Sequence, residues 1–79
     1  MNTDKLSQIL SNNISNVSEK ERMVSLILFG IEYAEYLGEG EIYKVIKQAS
    51  RKNTVINFSY DMPIKYGVDL SKYVILKII

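Results

Sequence analysis

The sequence predicts an α+β fold, mainly α, in which three helices precede a two-stranded β-hairpin. Apolar residues recur every three to four positions as far as residue 52. They alternate with polar residues over positions 55–60 and dominate again over positions 73–79. Because a helix repeats every 3.6 residues and a strand every two, this change of period places the hairpin in the C-terminal part.

The N-terminal region is expected to hold a short helix over residues 4–12, with Thr3 as its N-cap. A run of serine and asparagine over residues 11–16 follows, and such side chains compete for backbone hydrogen bonds and favour turns. Residues 1–17 are therefore predicted to be a short helix and a Ser/Asn-rich linker at the start of a single domain, residues 1–79.

The second helix has a clear start signal, because Ser18 followed by Glu21 is the spacing of a capping box. The apolar residues after it cover more than one side as far as Leu37, which is typical of a central helix. Gly38 is expected to end this helix in the left-handed conformation.

The third helix is predicted over Glu41–Lys52, directly after a tight connection. Its inner face has the spacing i, i+3, i+4, i+7, formed by Ile42, Val45, Ile46 and Ala49. The two predicted strands, residues 55–60 and 73–79, then flank a loop of residues 61–71 that Pro63 and Gly67 punctuate.

The net charge of +1 hides a polarised chain: residues 32–40 carry −3 and residues 41–53 carry +3. There is no cysteine and no histidine, which excludes disulfides, thiolate metal sites and a histidine general base. The acidic row Glu32, Glu35 and Glu39 is interpreted as a solvated stripe rather than a Mg²⁺ site. We therefore expect no enzyme activity, no cofactor and no small-molecule substrate; without a membrane-spanning stretch or signal peptide, a cytoplasmic location is expected.

The predicted order of helices and strands is that of a winged helix, with the third helix in the major groove of double-stranded DNA and residues 61–71 as the wing. Gln48 is expected to pair with adenine and Arg51 with guanine, because their planar heads match those base edges. The predicted DNA contacts are Lys44, Lys47, Gln48, Arg51, Lys52, Lys65, Tyr66 and Lys72. A homodimer is expected, since a short chain gains stability from association.

Part of the chain resembles the helix-turn-helix of small archaeal DNA-binding proteins, including those of archaeal viruses and plasmids. The segments that carry the resemblance are Gly40 to Ala49, Ser59-Tyr60, Lys65-Tyr66-Gly67, Leu70 and Lys72-Tyr73-Val74. The resemblance implies that helix 41–52 is the first helix of the motif and that the recognition element lies in residues 59–71. Pro63 departs from a helical recognition segment, so the winged helix is the preferred prediction, with a role in transcriptional regulation.

Two alternatives stay open. The near-neutral total charge and the apolar C-terminus also fit a protein-interaction or oligomerisation module, such as an antitoxin-like or viral accessory protein. Among the six tyrosines, those near lysines are candidates for stacking on unpaired bases, namely Tyr60, Tyr66 and Tyr73. The others, Tyr33, Tyr36 and Tyr43, are expected to cap the core.

Overall fold

A computed structural model describes residues 1–38 and 40–74, and the regular secondary structure in this part of the chain is entirely helical. The α-helices are α1 (Thr3–Ser15), α2 (Arg22–Glu32), α3 (Glu41–Lys52) and α4 (Asp61–Leu70). Short 3₁₀ segments cover Glu19–Glu21, Ala34–Tyr36 and Phe58–Tyr60. The predicted α+β class with a two-stranded hairpin is therefore wrong for the described residues, which contain no strand.

The helices pack mainly in two pairs, α1 against α3 and α2 against α4. A single apolar cluster joins the pairs, and every helix contributes to it. Its fully buried members are Leu6, Leu10, Leu26, Phe29, Leu37, Val45, Ile46, Ala49 and Ile64. The predicted inner face of α3 is confirmed at Val45, Ile46 and Ala49, while Ile42 is half-buried.

The segment predicted as the first strand, residues 55–60, forms turns and a 3₁₀ segment. Of its residues only Ile56 is buried, so the alternating pattern does not correspond to a buried face. The Asn57 side chain instead accepts a hydrogen bond from the Ser59 amide at 2.9 Å and caps the 3₁₀ segment. A local side-chain bond of this kind competes with strand pairing and explains the error.

The segment predicted as a wing, residues 61–71, is the helix α4 and the residue that caps it. Pro63 is the third residue of α4, within the first turn, where backbone amides have no partner inside the helix in any case. Pro63, Ile64 and Gly67 are buried, which gives α4 one continuous inner face. The expectation that Pro63 would prevent a helix over residues 59–71 was therefore wrong for α4.

The N-terminal half differs from the prediction in its boundaries. Helix α1 extends to Ser15, and its N-cap is Asn2, whose side chain accepts from the Lys5 amide at 2.8 Å, in place of Thr3. The predicted capping box does not form, because the Ser18 hydroxyl donates to the Glu21 carboxylate at 3.3 Å and a 3₁₀ turn follows. Helix α2 ends at Glu32, five residues before the predicted end at Leu37.

The connection before α3 also differs, because Gly40 and not Gly38 has the left-handed backbone, with φ of 85°. Gly40 is the N-cap of α3 and lets the chain turn directly into that helix. Most of the predicted strand 73–79 lies outside the described residues; Tyr73 is in a turn and Val74 is not in a strand.

Helices α2 and α4 approach each other very closely at Gly30 of α2 and Gly67 of α4. A Cβ atom added to Gly30 would lie 2.1 Å from the carbonyl oxygen of Ile64, and one added to Gly67 would lie 2.1 Å from that of Ile27. These distances are far below van der Waals contact, so the two backbones touch at this point. The crossing fixes how α4 sits on the rest of the molecule.

Candidate functional site

The outer side of α3 carries three exposed cations, Lys44, Lys47 and Arg51, which we call the basic face. Their spacing i, i+3, i+7 places them on one side of the helix, opposite the buried Val45 and Ala49. The local net charge of residues 41–53 is +3. The basic face therefore lies on a rigid element and can attract a polyanion.

Two further polar residues of α3, Gln48 and Lys52, contact α1. The Ser7 hydroxyl, fully buried, donates to the carbonyl oxygen of Asp4 at 2.8 Å and lies 3.2 Å from Gln48 Oε1. The Lys52 ammonium donates to the same hydroxyl at 3.3 Å. The structure thus places the two predicted contacts Gln48 and Lys52 beside α1, away from the centre of the basic face.

Further polar contacts tie both ends of α3 to α1. At its start, the Thr3 hydroxyl donates to the Glu41 carboxylate, which is partly buried. At its end, the side-chain amide group of Asn53 donates to the Ser15 hydroxyl at 3.1 Å. The acidic residue of α3 is therefore held on the α1 side, and the basic face keeps its positive charge.

Helix α4 follows α3 after a connection of residues 53–60 that includes the 3₁₀ segment Phe58–Tyr60. The outer side of α4 is mixed in character. Met62, Lys65, Tyr66 and Asp69 are all exposed and have the spacing i, i+3, i+4, i+7. The predicted contacts Lys65 and Tyr66 thus lie next to each other on a helix rather than on a wing. Lys72 is exposed in the turn after α4.

A groove of about 490 Å³ lies between the N-terminal part of α3 and α4. Its apolar lining comes from Leu37, Ile42, Ile46 and Val68, with Gly38 and Gly40 at one end. Its polar lining comes from Asp61, Lys65 and Asp69, all on α4. The side chains of Tyr43 and Phe58 complete the wall, with ring centroids 5.0 Å apart and planes inclined by 16°.

This stacked pair corrects one expectation from the sequence. Tyr43 was expected to cap the core, but it is 57 % exposed, and its partner Phe58 is 48 % exposed. Sequence reasoning missed Phe58 altogether, because the residue was assigned to the inner side of a strand. The signal that was available is Asn57 followed by Ser59, a side-chain turn pattern that argues against a strand.

The structure also bears on metal and membrane binding. Among residues 1–38 and 40–74, no group of three acidic side chains lies close enough together to hold a metal ion. Over the same residues, no helix has the length and apolarity needed to cross a membrane.

A family model described as an HTH-like domain matches residues 2–77. No curated protein and no solved structure matches the chain. The family match covers almost the whole chain and is independent of the geometry described above.

Proposed function

The chain belongs to the HTH-like domain family, and from this premise we propose that it binds double-stranded DNA through α3 and α4. The observation that carries the proposal is the exposed basic face of Lys44, Lys47 and Arg51 on the helix that precedes α4. In helix-turn-helix proteins the first helix of the motif crosses the DNA backbone and the second enters the major groove. The order of α3 and α4 matches these two roles.

The basic face supplies the phosphate contacts in this proposal. Lysine and arginine neutralise phosphates and release bound counterions, which makes affinity depend steeply on salt. Lys72, exposed beyond the end of α4, is proposed as a further phosphate contact. Gln48 and Lys52 lie beside Ser7 and are proposed to hold α3 on α1; their direct contact with DNA stays a prediction from the sequence.

Helix α4 supplies the base contacts in this proposal. Lys65 and Tyr66 are exposed in its middle, and its N-terminal turn adds Met62. Lysine donates to guanine O6 and N7, and apolar side chains contact the thymine methyl group. The role assigned to α4 agrees with the resemblance to archaeal helix-turn-helix proteins, in which residues 59–71 hold the recognition element; an archaeal, viral or plasmid setting and a regulatory role in transcription stay predictions.

The test is fluorescence anisotropy with a random duplex and an AT-rich duplex at about 50 and 200 mM salt. With the four phosphate contacts proposed above, at Lys44, Lys47, Arg51 and Lys72, we expect log K to fall against log salt with a slope of about −4. Lys47→Glu with Arg51→Glu should reduce the magnitude of the slope by about 2 and weaken binding by at least tenfold.

The matched control is Lys5→Glu with Lys20→Glu, which makes the same change of net charge at exposed positions outside α3 and α4. We expect a smaller loss of affinity for the control because those lysines lie outside the proposed interface. A slope near zero, or equal losses for both double variants, would contradict the proposal. The stoichiometry of the same titration shows whether one chain or a homodimer occupies the DNA.

A protein-interaction module is the second candidate, and one observation favours it. Several large apolar side chains are exposed on α2 and α4, namely Val24, Leu28, Met62, Tyr66 and Leu70. Exposed apolar side chains that recur every four residues along a helix are typical of a face that contacts another chain, and we take a second copy of this chain as the occupant. Under this candidate Lys47→Glu with Arg51→Glu leaves self-association unchanged, and neither duplex binds.

A further inference from the structure

The groove between α3 and α4 shares only Lys65 with the contacts proposed above with duplex DNA, and its aromatic and apolar lining has no role in them. We infer that it binds one unpaired nucleobase of a DNA strand whose phosphates lie on the basic face. This inference rests on the proposed function, because it takes the strand to be already held by α3. The groove volume of about 490 Å³ lies within the usual range for sites that hold small organic groups.

The first argument is the stacked pair of Tyr43 and Phe58. Aromatic side chains usually dominate the core, yet these two are about half exposed and nearly parallel, at 5.0 Å between centroids. A nearly parallel pair at a surface is the arrangement onto which a further planar ring can stack. Single-strand binding proteins use such aromatic surfaces because every base has a π-face.

The second argument is the mixed chemistry of the groove. Its floor includes the buried side chains of Leu37 and Ile46, which suit the face of a base. Its polar wall carries two carboxylates, of Asp61 and Asp69, and between them along α4 the ammonium of Lys65. The edge of a nucleobase likewise presents hydrogen-bond donors beside acceptors, while a purely apolar or singly charged ligand would leave part of this wall unmatched.

The third argument is continuity with the basic face. Tyr43 precedes Lys44 in α3 and lies one helical turn from Lys47, so the aromatic pair borders the cations proposed to hold phosphates. A base leaving the stack of a strand on α3 therefore meets Tyr43 and Phe58 first. This proximity favours a base of the bound strand over a free mononucleotide, which would gain less from the basic face.

The carboxylates also predict which bases are preferred. Carboxylate oxygens accept hydrogen bonds from amino groups, such as N4 of cytosine. Adenine, cytosine and guanine carry an exocyclic amino group, whereas thymine does not. An unpaired thymine should therefore be bound least well.

The experiment compares a blunt duplex of about 20 base pairs with the same duplex carrying an unpaired overhang of about five nucleotides, by anisotropy at one salt concentration. We expect the cytosine overhang to raise the affinity about tenfold and the thymine overhang to raise it less. Phe58→Ser and Tyr43→Ser should each abolish the gain while leaving the affinity for the blunt duplex within about twofold.

Two controls separate stacking from general damage. Met23→Ser removes a side chain on α2 that is 57 % exposed, as Tyr43 is, and should keep the overhang gain. Phe58→Tyr keeps the ring and should also keep the gain. Thermal unfolding of each variant confirms that it is folded before affinities are compared.

Equal affinity for blunt and overhang duplexes would overturn the inference, and so would a gain that survives both serine variants. Binding of deoxycytidine monophosphate as tight as that of the cytosine overhang would also overturn it, because the ligand would then be a free nucleotide. Failure to bind the blunt duplex contradicts only the proposed duplex contact. The inference still stands in that case if the overhang strand binds and Phe58→Ser weakens it.

Discussion

The two helix pairs of this molecule are held together by different kinds of contact. Helices α1 and α3 are joined by polar side chains over the apolar core, at Thr3 and Glu41, at Ser7, and at Ser15 and Asn53. Helices α2 and α4 meet through their backbones at Gly30 and Gly67. The polar contacts of the first pair can adjust by turning side chains, whereas at the glycine crossing of the second pair there is no side chain to turn. We therefore expect substitutions in the α2–α4 pair to be the more damaging.

The largest effect is expected at the glycine crossing. Gly30→Ala should lower the free energy of unfolding by about 3–5 kcal/mol, because the new methyl group meets a backbone oxygen and the helices must separate. That loss approaches the whole stability of a chain of this size, about 4–12 kcal/mol. Urea denaturation followed by circular dichroism measures this loss of stability. Gly67→Ala should lower the free energy of unfolding by a similar amount.

The matched control for this prediction is Gly38→Ala, since a Cβ atom at Gly38 has no neighbour within 4 Å. Its backbone lacks the positive φ found at Gly40, so alanine is tolerated there and the change should stay within about 0.5 kcal/mol. Equal stability of the Gly30 and Gly38 variants would show that the two helices are not in backbone contact.

An intermediate effect is expected in the polar pair. Ser7→Ala removes the hydroxyl that lies 3.2 Å from Gln48 Oε1 and accepts from Lys52, and should cost about 1–2 kcal/mol. Ser50→Ala is the control: its hydroxyl donates within α3 to the Lys47 carbonyl at 2.8 Å and is only half-buried. A Ser7 variant as stable as the Ser50 variant would mean that the polar contacts contribute nothing to the α1–α3 pair.

The smallest effect concerns pH at the end of α2. Burial, with the nearby charge of Glu32 and a hydrogen bond to it, raises the pKa of Tyr33 above its usual 10.0. The unfolded chain therefore loses this proton first, so stability should fall as pH rises past about 10 towards the folded-state pKa. Tyr33→Phe should make that fall shallower in urea titrations between pH 9 and 11.

The control for the pH series is Tyr73→Phe, which removes a phenol that is 82 % exposed. The free energy of unfolding of the Tyr33 variant should change with pH differently from that of the wild type only at alkaline pH. This difference should be larger than the one between the Tyr73 variant and the wild type. If the free energy of unfolding fell with pH equally in the wild type and in the Tyr33 variant, the fold would not disfavour the ionised form of Tyr33.

The same contrast explains what the sequence could predict. Helix α3 was predicted with its correct bounds, because its inner residues are spaced for a helix and local pattern is enough. Helix α4 was missed, because Pro63 and Gly67 are residues that, judged from the local sequence alone, interrupt a helix. Gly67 is in fact required by a contact with a residue 37 positions earlier, Gly30, and no local pattern contains that information.

The candidate site divides in the same way. The exposure of Lys44, Lys47 and Arg51 follows from the periodicity of one helix and could be predicted. Tyr43 stacks on Phe58 because the chain between α3 and α4 forms a 3₁₀ segment. A strand was predicted there from the sequence, so this stacking could not be predicted. The contact of Gln48 and Lys52 with α1 depends on Ser7 of that helix and could not be predicted from α3 alone.

The glycine crossing also limits how the molecule can move. With carbonyl oxygens and Cα atoms in contact, α4 cannot slide or roll over α2 by rearranging side chains. We therefore expect α2 and α4 to move as one rigid unit, so that a displacement of α4 also displaces α2. A contact that displaces Tyr66 is therefore expected also to displace Val24 and Leu28, on the exposed side of a helix that makes no contact in the proposed DNA complex.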